Sequence, residues 1–571
     1  MKVLGLSFSG HGSSICLVED GRIVAAMNLE RLTRVKFALA TLPPYAPVLT
    51  AVLKSEFGLD RPPSFADFYE VFPEMLKSVC GESELAKAEI DLVVKTHENI
   101  QPDPENPRPY EEFCDYFAGT KTLFDLEHHL CHAYQAYLCS PFEDAAILTI
   151  DGRGENLARL NGRAISTSLA DGQGDRVKVL SEVLAPDSVG GMYSTATLHL
   201  GFRDEQEGNT MALAAFGTDR FYRVAREDAF DLHDDGTFNL RPRPTGDGHN
   251  YVDQMVEFCP RRESGAPLTQ DHYDIAWGIQ KFTEDIVLHV AQALHARTGK
   301  PRLAIAGGVG LNCVANERIL RETPFRELYV MPNASDRGLA VGAALYGYQV
   351  VLGGKERHPA AHDYLGPTAS ETQIVAALRA AKNTAFRKSE DIASECAALI
   401  AKGRIIGWVQ GGAEFGPRAL GHRSILADPR SVESKERLDR EIKRREWFRP
   451  YAPSVLAEHA DEYFEMLGPS PYMLLAVNTR GAVRDKVPGI VHIDGSARVQ
   501  TVEREIEPLY HRLISRFHEI ADVPLVLNTS FNGYGEPMVE TAEEALDAMH
   551  SMGLDALAVG DHLAWKEGTP P

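Results

Sequence analysis

Several signatures are missing from this chain, and each absence removes a class of protein. No C-x-x-C pair occurs among the eight cysteines (Cys16, Cys80, Cys114, Cys131, Cys139, Cys259, Cys313 and Cys396). They are too scattered in so long a chain to form a disulfide framework, which points to a reducing compartment and a cytoplasmic location. No apolar run approaches the ~18 residues of a membrane span, and the first residues carry neither the basic stretch nor the apolar core of a leader, so no membrane partner is expected. The Walker A pattern is absent, so any ATP is held differently from P-loop enzymes, and without His-Glu-x-x-His the chain is not a zincin. Positive charge is scarce. The 59 Lys and Arg against 81 Asp and Glu leave a net charge of −22, which argues against a nucleic-acid partner and mildly favours neutral or cationic small substrates. At 571 residues with 44% hydrophobic content, the chain has room for two or more domains, each with its own core.

What is present begins with a strand-like run, Lys2 to Ser9, a tight turn at Gly10-His11-Gly12-Ser13-Ser14, and a hairpin over Ile15 to Met27. Actin-like and sugar-kinase-like ATPase folds open in this way. A second strand, Ala145 to Ile150, ends in Asp151-Gly152, and a third, Leu303 to Ile305, runs into Ala306-Gly307-Gly308-Val309-Gly310-Leu311-Asn312. Glycines there let backbone amides approach a phosphate with a helix N-terminus behind them, although the same loop serves equally as a tight turn. His128 and His132 stand four residues apart in His128-His129-Leu130-Cys131-His132, so on a helix they share a face. With Asp151 and Asp336 they make a nitrogen and oxygen set suited to iron(II), zinc or manganese. A surface or buried polar pair is the competing reading. Residues from about 40 to 120, rich in Pro, Asp and Glu, read as an insertion that shapes an acceptor pocket or as a solvated acidic flank. The aperiodic Gly/Pro stretch at 354–370 is the expected junction between two domains.

Beyond that junction lie Glu414-Phe415-Gly416-Pro417-Arg418-Ala419-Leu420-Gly421, then Lys443 and Arg449, Arg498, and Asn528-Thr529-Ser530-Phe531-Asn532. So many basic residues in Gly/Pro-framed loops of an acidic chain point to a polyanion pocket. Arginine forks match phosphate or carboxylate oxygens, while lysine supplies a mobile point charge.

Taken in order, these motifs, with Phe448-Arg449-Pro450-Tyr451-Ala452-Pro453-Ser454, resemble the O-carbamoyltransferase family, whose members include nodulation-factor, cephamycin, novobiocin and tobramycin carbamoyltransferases. The resemblance covers essentially the whole chain. It implies an α/β architecture: an N-terminal actin/sugar-kinase-like (ASKHA) transferase domain over 1–353, a linker at 354–370, and a YrdC-like carbamoyladenylate-forming domain over 371–571. It also implies a two-step reaction, in which carbamoyl phosphate and ATP (with Mg) give carbamoyladenylate and a hydroxyl of a small natural-product acceptor then displaces AMP.

By the same resemblance, Arg418, Lys443, Arg449, Arg498, Asn528 and Ser530 bind carbamoyl phosphate and ATP. His128, His132, Asp151 and Asp336 hold a divalent metal, iron(II) by family expectation. Lys36, Gly307, Gly308 and Asn312 bind nucleotide phosphate in the transfer domain, and His11 is the general base. Gly12 and Asn209 depart from the family pattern, in which a polar residue and a lysine are common. Three rivals remain. A threonylcarbamoyladenosine-type tRNA enzyme shares both domain types but conflicts with the negative charge. A hydrogenase-maturation carbamoyltransferase would bring an acylphosphatase domain and zinc fingers, and neither is seen. An actin-like ATPase or binding module leaves the four C-terminal cations unexplained. The acceptor and the oligomeric state stay open.

Overall fold

The computed structural model describes residues 1–9, 12–36, 74–79, 90–96, 123–203, 205–241 and 253–571. His11 and most of the expected 40–120 insertion lie outside the described residues. The chain builds one sheet pattern twice. In the first sheet β1 (Lys2–Ser9), β2 (Gly12–Glu19) and β3 (Arg22–Asn28) form an antiparallel meander, and β4 (Leu92–Thr96) and β5 (Leu123–Leu126) add in parallel on the other side of β1. In the second, β6 (Asp144–Ile150), β7 (Ile165–Gln173) and β8 (Arg176–Leu184) repeat the meander. After a small hairpin, β9 (Phe230–Leu232) and β10 (Phe238–Leu240), β11 (Arg302–Ala306) and β12 (Glu327–Val330) add in parallel beside β6. Strand orders 3-2-1-4-5 and 12-11-6-7-8 are thus the same arrangement. This duplication is the actin/sugar-kinase-like topology expected from the opening strands.

Near-continuous apolar runs such as Ala145 to Ile150 make these central strands, because both faces are covered. Helix Leu339–Tyr346 is built from small residues, and β1 and helix His128–Cys139 both come close against it. A Cβ at Gly342 would collide with the carbonyl oxygen of Cys131. Only glycine permits that approach, and it brings the turn before Leu339 over the histidine helix.

The C-terminal half is a second α/β body on an eight-stranded mixed sheet. Its order is β13 (Thr384–Lys388), β22 (His562–Lys566), β21 (Ala556–Val559), β14 (Ile406–Val409), β15 (Arg423–Ala427), β20 (Leu525–Ser530), β16 (Ala452–Leu456) and β19 (Gln500–Val502). A two-stranded ribbon, β17 (Ala476–Asn478) and β18 (Ser496–Arg498), lies beside it. Trp408 on β14 is fully buried, and its indole N–H donates to the carbonyl of Gly421, so a large side chain enters the core with its polar atom satisfied. The segment 354–370 contains no helix or sheet strand, only a bridge from Thr368 to Gly412. All six described cysteines are buried, and no disulfide joins any two of them. Among the described residues no helix is long and apolar enough to cross a membrane.

A short helix, Leu29–Thr33, pins the two halves together. Arg31, 4% exposed, donates from Nη2 to the carbonyl of Glu414 (3.0 Å) and pairs from Nη1 with Glu540 Oε2 (3.5 Å). Arg34 donates to the carbonyls of Met538 (2.7 Å) and Pro537 (3.0 Å). Burial lifts the carboxyl of Glu540 above its usual range, and Arg31 opposes that rise. Arg31→Ala would strand a buried carboxylate and several carbonyls. The expected cost is about 3 kcal/mol, read as a lower denaturant midpoint, with Arg31→Lys recovering part of it. An unchanged midpoint would contradict this role for the contact.

Candidate functional site

Four side chains converge from three elements. His128 and His132 project from one face of helix His128–Cys139, Asp151 follows β6 directly, and Asp336 begins the turn Asp336–Gly338. His128 Nε2 lies 3.1 Å from Asp151 Oδ2 and 3.3 Å from Asp336 Oδ1. His132 Nε2 lies 3.7 and 3.5 Å from the same two oxygens. All four ligand atoms fall within 4.8 Å of one another, and all four residues are buried.

The residues fit a single divalent ion. Metal bonds of about 2.1 Å place neighbouring ligand atoms roughly 3.0–3.4 Å apart, close to the spacing found. Among the described residues His132 Nε2 is buried without a hydrogen-bond partner, which is costly unless something accepts its lone pair. Its other ring nitrogen faces Gln135 Oε1 at 3.3 Å, and Gln135 Nε2 donates to the carbonyl of Asn333 (2.8 Å). That chain keeps the proton on Nδ1 and turns Nε2 into the cluster. Asp151 accepts the amide of Gly308 on Oδ1 (2.8 Å), leaving Oδ2 for the histidines. Burial opposes charge throughout. Even so, Asp336 and Asp151 hold His128 well above its ordinary pKa, and both histidines hold Asp151 well below the carboxylate range. His129 stands apart. Burial and the two neighbouring imidazoles push it down to about 3, and its Nδ1 is 2.8 Å from Thr149 Oγ1.

The glycine loop also has local duties. The Gly307 amide donates to the carbonyl of Ala334 (2.8 Å), and that of Gly308 is engaged by Asp151. Asn312 caps helix Cys313–Glu322 through Ala315 N, and its side chain exchanges hydrogen bonds with Gln280.

In the C-terminal half, Lys443 is 5% exposed and its ammonium donates to the carbonyls of Ser530 and Asn532 and to Asn532 Oδ1, each at 2.8 Å. Ser530 Oγ donates to Asn532 Oδ1 (2.7 Å) and so supports that cradle. Asn528 ties the Arg418 loop to the sheet, donating to the carbonyl of Ala419 (3.1 Å) and to Ser454 Oγ (3.0 Å). Arg418, Arg445 and Arg498 each bury an Nε that has no hydrogen-bond partner among the described residues. Burial, then the like charge of Arg498, Arg449 and Arg337, depresses Arg418 well below its usual value. Burial, then Arg445, pulls Arg449 down to about 10. Lys443 is depressed by burial and by Arg445, Lys36 and Arg449. Cations held this close repel one another, so an anion placed among them relieves the strain.

The two clusters share one cavity of about 480 Å³. Its wall includes Lys36, Asp151, Gly308, Asn312 and Asp336 from the N-terminal half, and Arg418, Lys443, Arg449, Arg498, Asn528 and Ser530 from the C-terminal half. Three contributors were not picked out from the sequence. Gln135 sits one turn beyond His132, a spacing that could have flagged it. Arg337 directly follows Asp336 and lines the cavity. Glu414 Oε1 accepts the amides of Leu420 (2.6 Å), His422 (2.9 Å) and Arg423 (3.3 Å), folding the loop that carries Arg418. Nothing local in the sequence signals that last role.

Comparison with known proteins adds a family. A model described as carbamoyltransferase N-terminus matches residues 111–345, and one described as carbamoyltransferase C-terminus matches 397–566. An uncharacterized protein of Synechocystis is 34% identical, covering 100% of this chain and 97% of its own length. Nodulation protein NolNO of Sinorhizobium fredii is 34% identical over 98% of this chain and 80% of its own length. Nodulation protein NolO of Bradyrhizobium diazoefficiens is 36% identical over 77% and 79%.

Two measurements check the geometry. Elemental analysis after dialysis is expected to find about one divalent ion per chain, none in His132→Ala, and at least ~10-fold weaker retention against chelator in Gln135→Ala. Equal retention by Gln135→Ala would show that the outer contact is idle. Because Lys36 and Lys443 are depressed in the folded protein, the cost of charging them is present below their folded-state values and relieved as pH rises through them. An anion raises those values again. Pyrophosphate binding at a pH near those folded-state values should therefore take up protons, seen as calorimetric heats that change with the buffer's ionisation enthalpy. Lys443→Met should reduce the uptake, and buffer-independent heats would contradict the arrangement.

Proposed function

The chain belongs to the carbamoyltransferase family, and we propose that it works as an ATP-dependent O-carbamoyltransferase acting in two half-reactions on a small hydroxyl acceptor. The observation that carries this reading is the single cavity joining a buried cation cluster to a buried His/Asp cluster. In it, residues 371–571 form the YrdC-like adenylate-forming unit, 354–370 the joint, and 1–353 the transfer unit.

In the first half-reaction carbamoyl phosphate is hydrolysed to carbamate and phosphate. A carbamate oxygen then attacks the α-phosphate of ATP, and pyrophosphate leaves. Arg418, Arg449 and Arg498 offset the negative charge gathered there, and their guanidinium forks match phosphoryl oxygens. Lys443 has its three N–H groups committed to Ser530 and Asn532, so it acts on the substrates through its field and by keeping that loop in place. Asn528 fixes the Arg418 loop.

In the second half-reaction the acceptor oxygen attacks the carbamoyl carbon and AMP departs. His11, outside the described residues, is the proposed base for the hydroxyl proton, since an alcohol is a weak nucleophile until that proton is taken. Lys36 is the proposed contact to the adenylate. A divalent ion on His128, His132, Asp151 and Asp336, with iron(II) the family expectation and zinc or manganese equally suited to the donors, would supply Lewis-acid stabilisation of the AMP phosphate. Gln135 and Gly308 keep the donor atoms aimed inward. The acceptor is proposed to be a natural product and the setting cytoplasmic secondary metabolism, as in antibiotic biosynthesis.

Incubation with ATP and carbamoyl phosphate, without acceptor, tests the first half-reaction. Pyrophosphate should form only when carbamoyl phosphate is present. Arg449→Ala should lower the rate about 100-fold, the order of a lost transition-state donor. ADP and phosphate in place of pyrophosphate would sink the adenylate route.

A further inference from the structure

Arg337 occupies an unusual place. It follows Asp336 in the turn Asp336–Gly338, so it stands beside the His/Asp cluster, yet it also lines the cavity shared with Arg418 and Lys443. It is 7% exposed. Its Nη1 lies 3.6 Å from Glu30 Oε2 and its Nη2 4.0 Å from Glu205 Oε2, so the guanidinium is centred between two carboxylates. An anion moving toward His128 and His132 meets Asp151, Asp336, Glu30 and Glu205. A fixed cation among them is what would admit it.

The neighbour that sets the path of Arg337 is Gly12, at the start of β2, paired with Ser9. Gly12 has φ +126°, and a Cβ added there would lie 2.5 Å from Cγ and 2.9 Å from Cδ of Arg337. Those atoms are the middle of the side chain, and Cβ of Arg337 lies clear at 4.0 Å. A methyl group at position 12 therefore could not be avoided by swinging the guanidinium alone, and the chain from Cγ outward would have to take another path.

We propose that Arg337 is a catalytic residue of the transfer step, its fork binding the adenylate phosphate as AMP leaves, and that Gly12 is a positioning residue whose missing side chain gives Arg337 its path. In that step the acceptor oxygen bonds to the carbamoyl carbon and the bond from that carbon to the phosphate oxygen breaks. The electron pair stays on AMP and the hydroxyl proton goes to the base. Charge grows on the phosphate as the bond breaks, and a planar bidentate donor is suited to meet it. The proposal rests on the two-half-reaction reading above.

The test is calorimetric titration of AMP into the metal-loaded protein, with α,β-methylene-ATP saturating the other nucleotide position. Metal content and acceptor-free pyrophosphate formation are followed in parallel. Arg337→Ala should weaken AMP binding roughly tenfold or more, Arg337→Lys should recover part of it, and metal content should not change. Gly12→Ala should weaken AMP binding in the wild-type background but add nothing to Arg337→Ala. Wild-type AMP affinity in Arg337→Ala would overturn the proposal, as would a Gly12→Ala effect of equal size in both backgrounds. Loss of metal and pyrophosphate formation together in Arg337→Ala would show a structural role instead. Absence of pyrophosphate formation in the wild type would strike the two-step reading, while the AMP titrations would still decide the role of Arg337.

Discussion

The contact on which the site depends is the seating of helix Leu339–Tyr346 against helix His128–Cys139, where Gly342 lies on the carbonyl of Cys131. Any larger residue at 342 would push the helices apart, and the turn bearing Asp336 would move with the first of them. Gly338 repeats the constraint, since a Cβ there would collide with Asn333 and with Gln135. From this packing come the 3.3 and 3.5 Å separations between Asp336 and the two histidines. The same region connects to the other half of the protein. Gln135 donates to the carbonyl of Asn333, and Asn333 Nδ2 donates to the carbonyl of Phe415 (3.1 Å), just before the loop that carries Arg418. Polar contacts thus run from the imidazole of His132 to the backbone three residues before Arg418.

The electrostatics oppose the overall composition. A chain with net charge −22 concentrates cations in its central cavity and holds them at a cost, with Arg418, Arg449, Lys443 and Lys36 all below their ordinary values. Stability alone would not select this. Glu414 and Glu540 stand behind the cavity wall, where Glu414 collects three amides and Glu540 faces Arg31. Of the carboxylates that line it, Glu30 and Glu205 face Arg337, and an entering anion meets Arg418, Lys443 and Arg498.

Much of this was legible in the residues, for stated reasons. The spacing of His128 and His132 identified a shared helical face, and apolar runs ending in Asp151-Gly152 and in Gly307-Gly308 marked strand ends. The opening strand and hairpin marked the first sheet, whereas the second meander, β6 to β8, carries no repeat visible in the residues and emerges only in the fold. Other features were out of reach because they depend on contacts between distant segments. Arg31 and Glu540 are 509 positions apart, and no local pattern announces their pairing. Asn312 reads as a phosphate-loop residue, whereas its side chain caps a helix and bonds Gln280. Lys443 reads as a mobile cation, whereas three acceptors hold it still. Asn209 departs from the family pattern and donates to Glu446 Oε1 across the two halves (3.2 Å), a partner that sequence position could not supply.

The central claim is that one cavity serves two successive reactions on a shared intermediate. A rapid-quench single turnover with ATP labelled at the α-phosphate and carbamoyl phosphate labelled at carbon tests it most directly. The account predicts a transient species carrying both labels, appearing with pyrophosphate and decaying as AMP forms. If the carbon label leaves carbamoyl phosphate and AMP accumulates with no species ever holding both labels, the account is wrong.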